Sequence, residues 1–206
     1  MSILGRKGLK KAILKRPIDS RLVVMPLVDP EQIGDASVDV RLGTRFRVLR
    51  RIQDSGLDPQ TVVQSEVERG QEEVVVPIGK RLWLHPGQFV LGATLEYLRF
   101  PNDLAADVVG RSSWGRVGLL VATAVMVQPG YRGTLTLELV NHGDGPIAIY
   151  PGSRIAQLVV SPVLEPSKDS YAGKYAGSPG PEVSHIAKER EEIVALRHTA
   201  DLFSEP

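Results

Sequence analysis

Between residues 74 and 160 the chain is a succession of short apolar runs cut by turn residues, and no other feature restricts its fold as much. The runs 74–77, 81–85, 89–95, 104–109, 119–127, 134–140, 147–150 and 155–160 have the length of strands. They are parted by Pro86-Gly87, Pro101-Asn102-Asp103, Pro129-Gly130, the glycine-rich segment 142–145 and Pro151-Gly152. Hardly any helical spacing lies between them. The predicted fold is therefore mainly β, a jelly-roll sandwich or barrel. Upstream, Val38, Val40 and Leu42 alternate with Asp39 and Arg41, the period of a half-buried strand. The stretch 53–73 is rich in Asp, Gln, Ser and Glu and is expected to be a loop.

The two ends read differently. Leu4, Leu9, Ile13 and Leu14 recur at helical spacing among Lys and Arg until Pro17, which predicts a short basic amphipathic helix. After Pro166 the composition turns to Ser, Gly, Pro, Lys and Tyr without periodicity, as in an arm or lid. Ile186, Ile193, Leu196 and Leu202 then resume helical spacing. The expected organisation is one β-domain over 1–166 with its N-terminal helix, followed by a C-terminal arm and helix over 167–206. No internal repeat is found.

A chain of 206 residues with 42% hydrophobic and 24% charged residues suits one globular domain. Its net charge of +1 argues against a general nucleic-acid binder, whose phosphate contacts need a basic excess. No apolar run approaches the roughly 18 residues that cross a bilayer, and no apolar stretch follows the N-terminal lysines. No membrane partner is expected, and the expected compartment is the cytoplasm. Cysteine is absent, which removes disulfides, thiolate nucleophiles and thiolate metal ligands.

Several constellations carry possible chemistry. Gly110-Arg111-Ser112-Ser113-Trp114-Gly115-Arg116 follows one strand-like run and precedes another. Its hydroxyls and forked guanidiniums suit a phosphate or carboxylate, although a polar surface turn has the same composition. Glu138 is a carboxylate inside the apolar run Thr136-Leu137-Glu138-Leu139-Val140. Facing a cleft it would suit proton transfer, while on a solvent face it would be an ordinary strand residue. Residues 127–133, around Pro129-Gly130, read as a hairpin connection. Tyr171, Lys174 and Tyr175 put a cation and two phenols in the arm, where a lid over phosphates would use them. The 4 histidines are far apart in the sequence and have no metal-ligand spacing.

Taken together and in order, these segments resemble the dCTP deaminases, which share a fold with the trimeric dUTPases. The resemblance rests on Ala36-Ser37-Val38-Asp39-Val40-Arg41-Leu42-Gly43, His85-Pro86-Gly87, Gly110-Arg111-Ser112-Ser113 through Arg116, Pro129-Gly130-Tyr131, Leu137-Glu138, Asn141, Pro151-Gly152 and Lys174-Tyr175. It runs from about residue 36 to 185. It implies a distorted jelly-roll β-barrel of the dUTPase type with short terminal helices, assembled as a homotrimer with shared active sites. It further implies dCTP as the small-molecule substrate, with no nucleic acid involved.

Residue by residue, the resemblance makes Glu138 the general acid and base, with Arg116 and Ser112 beside it in the catalytic group. Arg111 and Ser113 would contact phosphate, and Thr123 and Ala124 would bond the pyrimidine through their backbone. Gln128, Tyr131 and Gln157 would complete the substrate site, and Tyr171, Lys174 and Ser178 would reach the triphosphate from the arm. Zinc-dependent deaminases need His and Cys ligands with a Cys-x-x-Cys pair, and this chain has no Cys. Mg²⁺ is expected only on the triphosphate.

Three positions depart from the family pattern. Gln128 stands where an Asp is usual, and an amide bonds a hydroxyl but cannot act as a base. The stretch before Thr123 is one residue shorter than usual and lacks a frequent His at Val121-Ala122, in a loop concerned with base recognition and dTTP feedback in relatives. Ser178 replaces a common Gln. The leading expectation is deamination of dCTP to dUTP and ammonia. The alternatives are a dUTP or dCTP pyrophosphatase, alone or combined with deamination, and a homologue that binds nucleotide without turnover.

Overall fold

The computed structural model describes residues 2–49, 57–122, 126–167, 177 and 179–188. They form two compact units, one of residues 1–47 and 73–182, the other of residues 48–72 and 183–206.

The larger unit opens with helix α1 (Arg6–Lys10), which runs on into a wider turn of π type over Lys11–Lys15. Leu9, Ala12 and Ile13 are buried on one side, as the apolar spacing predicts, whereas Leu14 is exposed. Its entry is fixed where the amide of Leu4 bonds the carbonyl of Val160 at 2.7 Å.

The strands follow in chain order: β1 (Val23–Met25), β2 (Val38–Arg41), β3 (Arg45–Leu49), then, after helix α2 (Gln64–Arg69), β4 (Gln71–Val75), β5 (Leu82–Leu84), β6 (Phe89–Ala93) and β7 (Tyr97–Arg99). β8 (Leu104–Gly110), helix α3 (Ser112–Gly115), β9 (Leu119–Val121), β10 (Met126–Val127), β11 (Arg132–Gly133), β12 (Thr136–Asn141), β13 (Ile147–Ile149) and β14 (Arg154–Pro162) complete the series. The sheets run β1-β7-β11, β10-β8-β14-β2, β4-β3-β6-β12-β9 and β13-β5. Neighbours such as β14 and β2, or β6 and β12, are distant in sequence and antiparallel, the winding of a jelly roll and not of a meander.

Every strand-like run read from the sequence holds a strand, with bounds shifted by a few residues. β1, β3, β7 and β11 were not anticipated. The polar stretch 53–73 is not simply a loop either: its end forms α2, whose Val67 alone is buried, so no apolar stripe announces it. Residues 127–133 are not a hairpin connection. β10 pairs with β8 and β11 with β7, so the turn carries the chain from one sheet to another.

β2 departs from its alternating pattern in a way that bears on the site. Val38, Val40 and Leu42 are fully buried as expected, but Asp39 and Arg41 on the other face are buried too, at 6% and 8% exposure. Each is matched by polar partners, the condition under which charges leave water. Arg41 donates to Gln32 Oε1 at 2.7 Å and lies 3.5 Å from Glu96, and Gln32 Nε2 donates to Glu96 Oε1 at 2.9 Å.

In the smaller unit, Val62 and Val67 are buried and Gln64 Nε2 donates to the Ser184 carbonyl at 3.2 Å. Of the predicted terminal helix only the turn Ile186–Lys188 is described. No described helix is long and apolar enough to cross a membrane.

Candidate active site

The Gly110–Arg116 segment begins where β8 ends. Arg111 caps α3, its carbonyl accepting the amides of Trp114 at 3.0 Å and Gly115 at 3.2 Å. Two contacts hold the segment to β14: the Arg111 amide bonds the Ile155 carbonyl at 3.3 Å, and the Trp114 indole N–H bonds the Arg154 carbonyl at 2.9 Å. The chain then turns at Gly118, whose φ of +90° is a left-handed conformation open to glycine. A Cβ there would lie 2.6 Å from the Gly143 nitrogen, so the two backbones cross in contact.

Below this turn, Asp39 organises the charges. Its Oδ1 accepts from Arg111 NH1 at 2.5 Å and from Gln157 Nε2 at 2.9 Å; its Oδ2 accepts from Arg154 NH1 at 3.3 Å. Arg154 is held on its other nitrogen by Asp29 at 2.9 Å. Arg111 and Gln157 are thus brought together through a residue that the sequence reading did not count among the site residues. Ser112, Ser113 and Arg116 are exposed, and their side chains make no hydrogen bond or ion pair among the described residues.

Glu138 stands on β12, whose burial alternates: Leu137, Leu139 and Asn141 point into the core, while Thr136, Glu138 and Val140 share the half-buried face. Its strand partner on β6 is Leu91, and on the other side its carbonyl accepts the Ala122 amide at 2.8 Å. The carboxylate has no hydrogen-bond or ionic partner among the described residues and apolar neighbours on both flanking strands. No bond joins it to Arg111, Ser112 or Arg116 within the chain. β9 lies between them: it pairs with β12, and its Val121 fills the space beside Gly110, 3.4 Å from where a Cβ would stand.

At the next turn, the Tyr131 amide bonds the Gln128 carbonyl at 3.1 Å and Gly130 has φ +77°. The Gln128 side chain is exposed. Tyr131 is 7% exposed and its hydroxyl donates to the Thr134 carbonyl at 2.7 Å, so it shapes the turn. Asn141 bonds the Leu84 and Gly145 carbonyls, each at 2.8 Å, and fastens the end of β12. Thr123, Ala124, Tyr171, Lys174 and Ser178 lie outside the described residues. Past the arm, Gly180 and Pro181 are buried, and the Pro181 carbonyl accepts from Arg47 Nε at 2.7 Å.

Two charged groups escaped the sequence reading. Asp39 stands on the polar side of an alternating strand pattern and Glu96 directly follows the run 89–95, and only their burial marks them as organising groups. The nearest signal was Asp39 itself, placed between valines in the 36–43 segment. Burial pushes the Glu96 pKa above the ordinary carboxylate range, opposed by its bond from the Arg41 amide, the Arg41 charge and Gln32.

The profile of the family described as dCTP deaminase-like matches residues 4–163. A protein of Natronomonas pharaonis named dCTP deaminase is 43% identical over 190 residues, covering 89% of this chain and 96% of the relative. One of Halobacterium salinarum, named "dCTP deaminase, dUMP-forming", is 44% identical over 185 residues, covering 87% and 94%. Among solved structures, the 2'-deoxycytidine 5'-triphosphate deaminase of Agrobacterium tumefaciens superposes with a TM-score of 0.57 at 25% identity. That match covers 77% of this chain and 46% of the longer one.

Proposed function

This chain belongs to the dCTP deaminase-like family, and from that premise we propose that it hydrolyses the amino group of dCTP, with Glu138 handling the protons. Water adds to C4 of the cytosine ring as Glu138 takes one of its protons. The carboxyl delivers that proton to the ring nitrogen N3, where it stays, then carries the remaining proton from the new C4 hydroxyl to the amino group. The C4–N bond breaks as the C4 carbonyl forms, so that dCTP and water become dUTP and ammonia. The observation that carries the reading is the half-buried Glu138 carboxylate on an apolar strand, unpaired among the described residues and so free for a substrate.

The other roles follow from chemistry. The guanidiniums of Arg111 and Arg116 and the hydroxyls of Ser112 and Ser113 suit phosphate oxygens and the water region, and the backbone at Thr123 and Ala124 suits the pyrimidine. Gln128 offers an amide to the sugar, and Tyr171, Lys174 and Ser178 approach the triphosphate from the arm. The described residues hold no cluster of three or more His, Asp or Glu that would cage a metal. Mg²⁺ would come in on the triphosphate's own oxygens. The absence of Cys leaves no zinc set of the other deaminase class. We assign the working site to a boundary between copies, in a homotrimer acting on the cytoplasmic nucleotide pool, as the family resemblance implies.

A second reading, deamination coupled to pyrophosphate release, draws on the dUMP-forming name of a relative as similar as those named dCTP deaminase. Gln128 speaks for dUTP as the end product, since an amide cannot serve as the base of a second hydrolysis. Incubation with dCTP and Mg²⁺ followed by ion-exchange chromatography separates the readings. dUTP with ammonia is the expected result. dUMP with pyrophosphate establishes the second reading, and tight binding without product makes the chain a nucleotide-binding homologue.

A further inference from the structure

We propose that Asp39 is a positioning residue for phosphate recognition: its buried carboxylate clamps one nitrogen of Arg111 and thereby aims the rest of that guanidinium at the triphosphate. The proposal rests on the reading of the Gly110–Arg116 turn as a phosphate site. Asp39 cannot itself meet a ligand, because its side chain is 8% exposed and its oxygens are occupied by Arg111, Gln157 and Arg154. Arg111 is the member of the cluster that stands on this turn, with its side chain 28% exposed; Arg154, 35% exposed, is engaged on both of its terminal nitrogens. Only its NH1 is engaged, so the Nε–NH2 edge has no partner among the described residues. That edge is the planar fork that takes an anion in bidentate fashion.

The clamp is itself braced. Gln157 holds the same oxygen as Arg111, and Arg154, fixed by Asp29, holds the other oxygen, so the carboxylate cannot rotate without losing a bond. Two carboxylates face two guanidiniums, which leaves the cluster neutral. Its contribution to binding is direction and not excess charge. A long side chain held beforehand surrenders less rotamer freedom when the ligand arrives. Gln157, which the family resemblance places on the substrate, therefore acts here through Asp39.

The test is a double-mutant cycle on the full-length protein, with binding of tripolyphosphate and of dCTP followed by titration calorimetry. Asp39→Asn is expected to weaken binding of both ligands by roughly three- to tenfold and to raise the Michaelis constant for dCTP with kcat nearly unchanged. In an Arg111→Ala background the same substitution is expected to change binding hardly at all. An equal loss in both backgrounds, as a general structural role produces, overturns the proposal. So does tighter binding by Asp39→Asn, which would make Asp39 a competitor of phosphate. Should Asp39→Asn fail to fold, Gln157→Leu loosens the same carboxylate and must show the same dependence on Arg111. Tripolyphosphate binding with intact coupling, but no turnover of dCTP, upholds the clamp and removes the deaminase reading. Turnover of dCTP without coupling does the reverse.

Discussion

Glu138 and Glu96 are carboxylates drawn at least partly out of water, with opposite fates. Glu138 is half-buried and free of partners among the described residues, the state in which a group can exchange a proton with a ligand. Glu138→Gln is expected to fold and to bind dCTP, with kcat lower by about two orders of magnitude or more, the usual contribution of a positioned proton-transfer group. Steady-state kinetics on the purified variant check this, and near-normal turnover removes Glu138 from its role. Glu96 is fully buried and spoken for by Arg41 and Gln32. Its folded pKa is raised, so the folded chain binds its proton more tightly than the unfolded chain does. Its contribution to stability is then complete below the ordinary Glu pKa and declines as pH rises from there through the folded value. Urea unfolding across that window should show the wild type losing stability relative to Glu96→Gln as pH increases; a flat difference would mean that Glu96 has no shifted pKa.

At the scale of elements, α3 and the reversal after it set the turn proposed to meet phosphate against β9. Gly118 makes that reversal with φ +90° and backbone contact to Gly143. Gly118→Ala meets both a left-handed penalty and a backbone clash, and is expected to destabilise by at least about 2 kcal/mol. Gly115→Ala is its control: it closes α3 with an ordinary φ and open space around it, and should stay within about 1 kcal/mol of the wild type. Chemical denaturation of the pair measures the difference. The arm belongs to this scale too. Its far side is tied down, with the Gly177 amide on the Arg132 carbonyl at 2.7 Å and the Glu182 amide on Thr136 Oγ1 at 3.0 Å. That second tie lies one turn of the pleat from Glu138 on the same face of β12, so the arm returns beside the proposed base. Lys174→Ala should therefore raise the Michaelis constant for dCTP roughly tenfold or more, as loss of a charge-assisted phosphate contact does, and leave deoxycytidine little affected. An unchanged constant for dCTP takes the arm out of phosphate binding.

For the whole molecule, the proposed trimer explains why the chain alone leaves its groups apart. Val109, Leu120 and Met126, on β8, β9 and β10, are each between 44% and 46% exposed, apolar surface that an assembly would cover. Sedimentation should give three times the chain mass. Mixing Glu138→Gln with Arg111→Ala, each expected to be impaired alone, should restore part of the activity if one copy supplies the carboxylate and another the guanidinium. No recovery in mixed trimers would place the whole site within a single chain.

How much of this was legible depended on how local each determinant is. The strands from 74 to 160 were readable because apolar runs and Pro-Gly turns act over a few residues, and the segments 110–116 and 136–140 stood out as candidates through residue types alone. β7 and β11 were not readable: at three and two residues they hold no period, and β7's pairing with β1 on one side and β11 on the other makes them strands. α2 was hidden for the same reason, with one buried apolar residue and no stripe. The placement of Asp39 belongs wholly to the tertiary structure. Its alternation with valines pointed it at water, yet its partners Arg111 and Gln157 stand 72 and 118 positions further along the chain. The local pattern determined that a β-fold with a phosphate-suited turn and a strand carboxylate would form. The buried charges were decided only when β14 came to lie beside both β2 and β8, because a charge leaves water only where distant segments bring its partners to it.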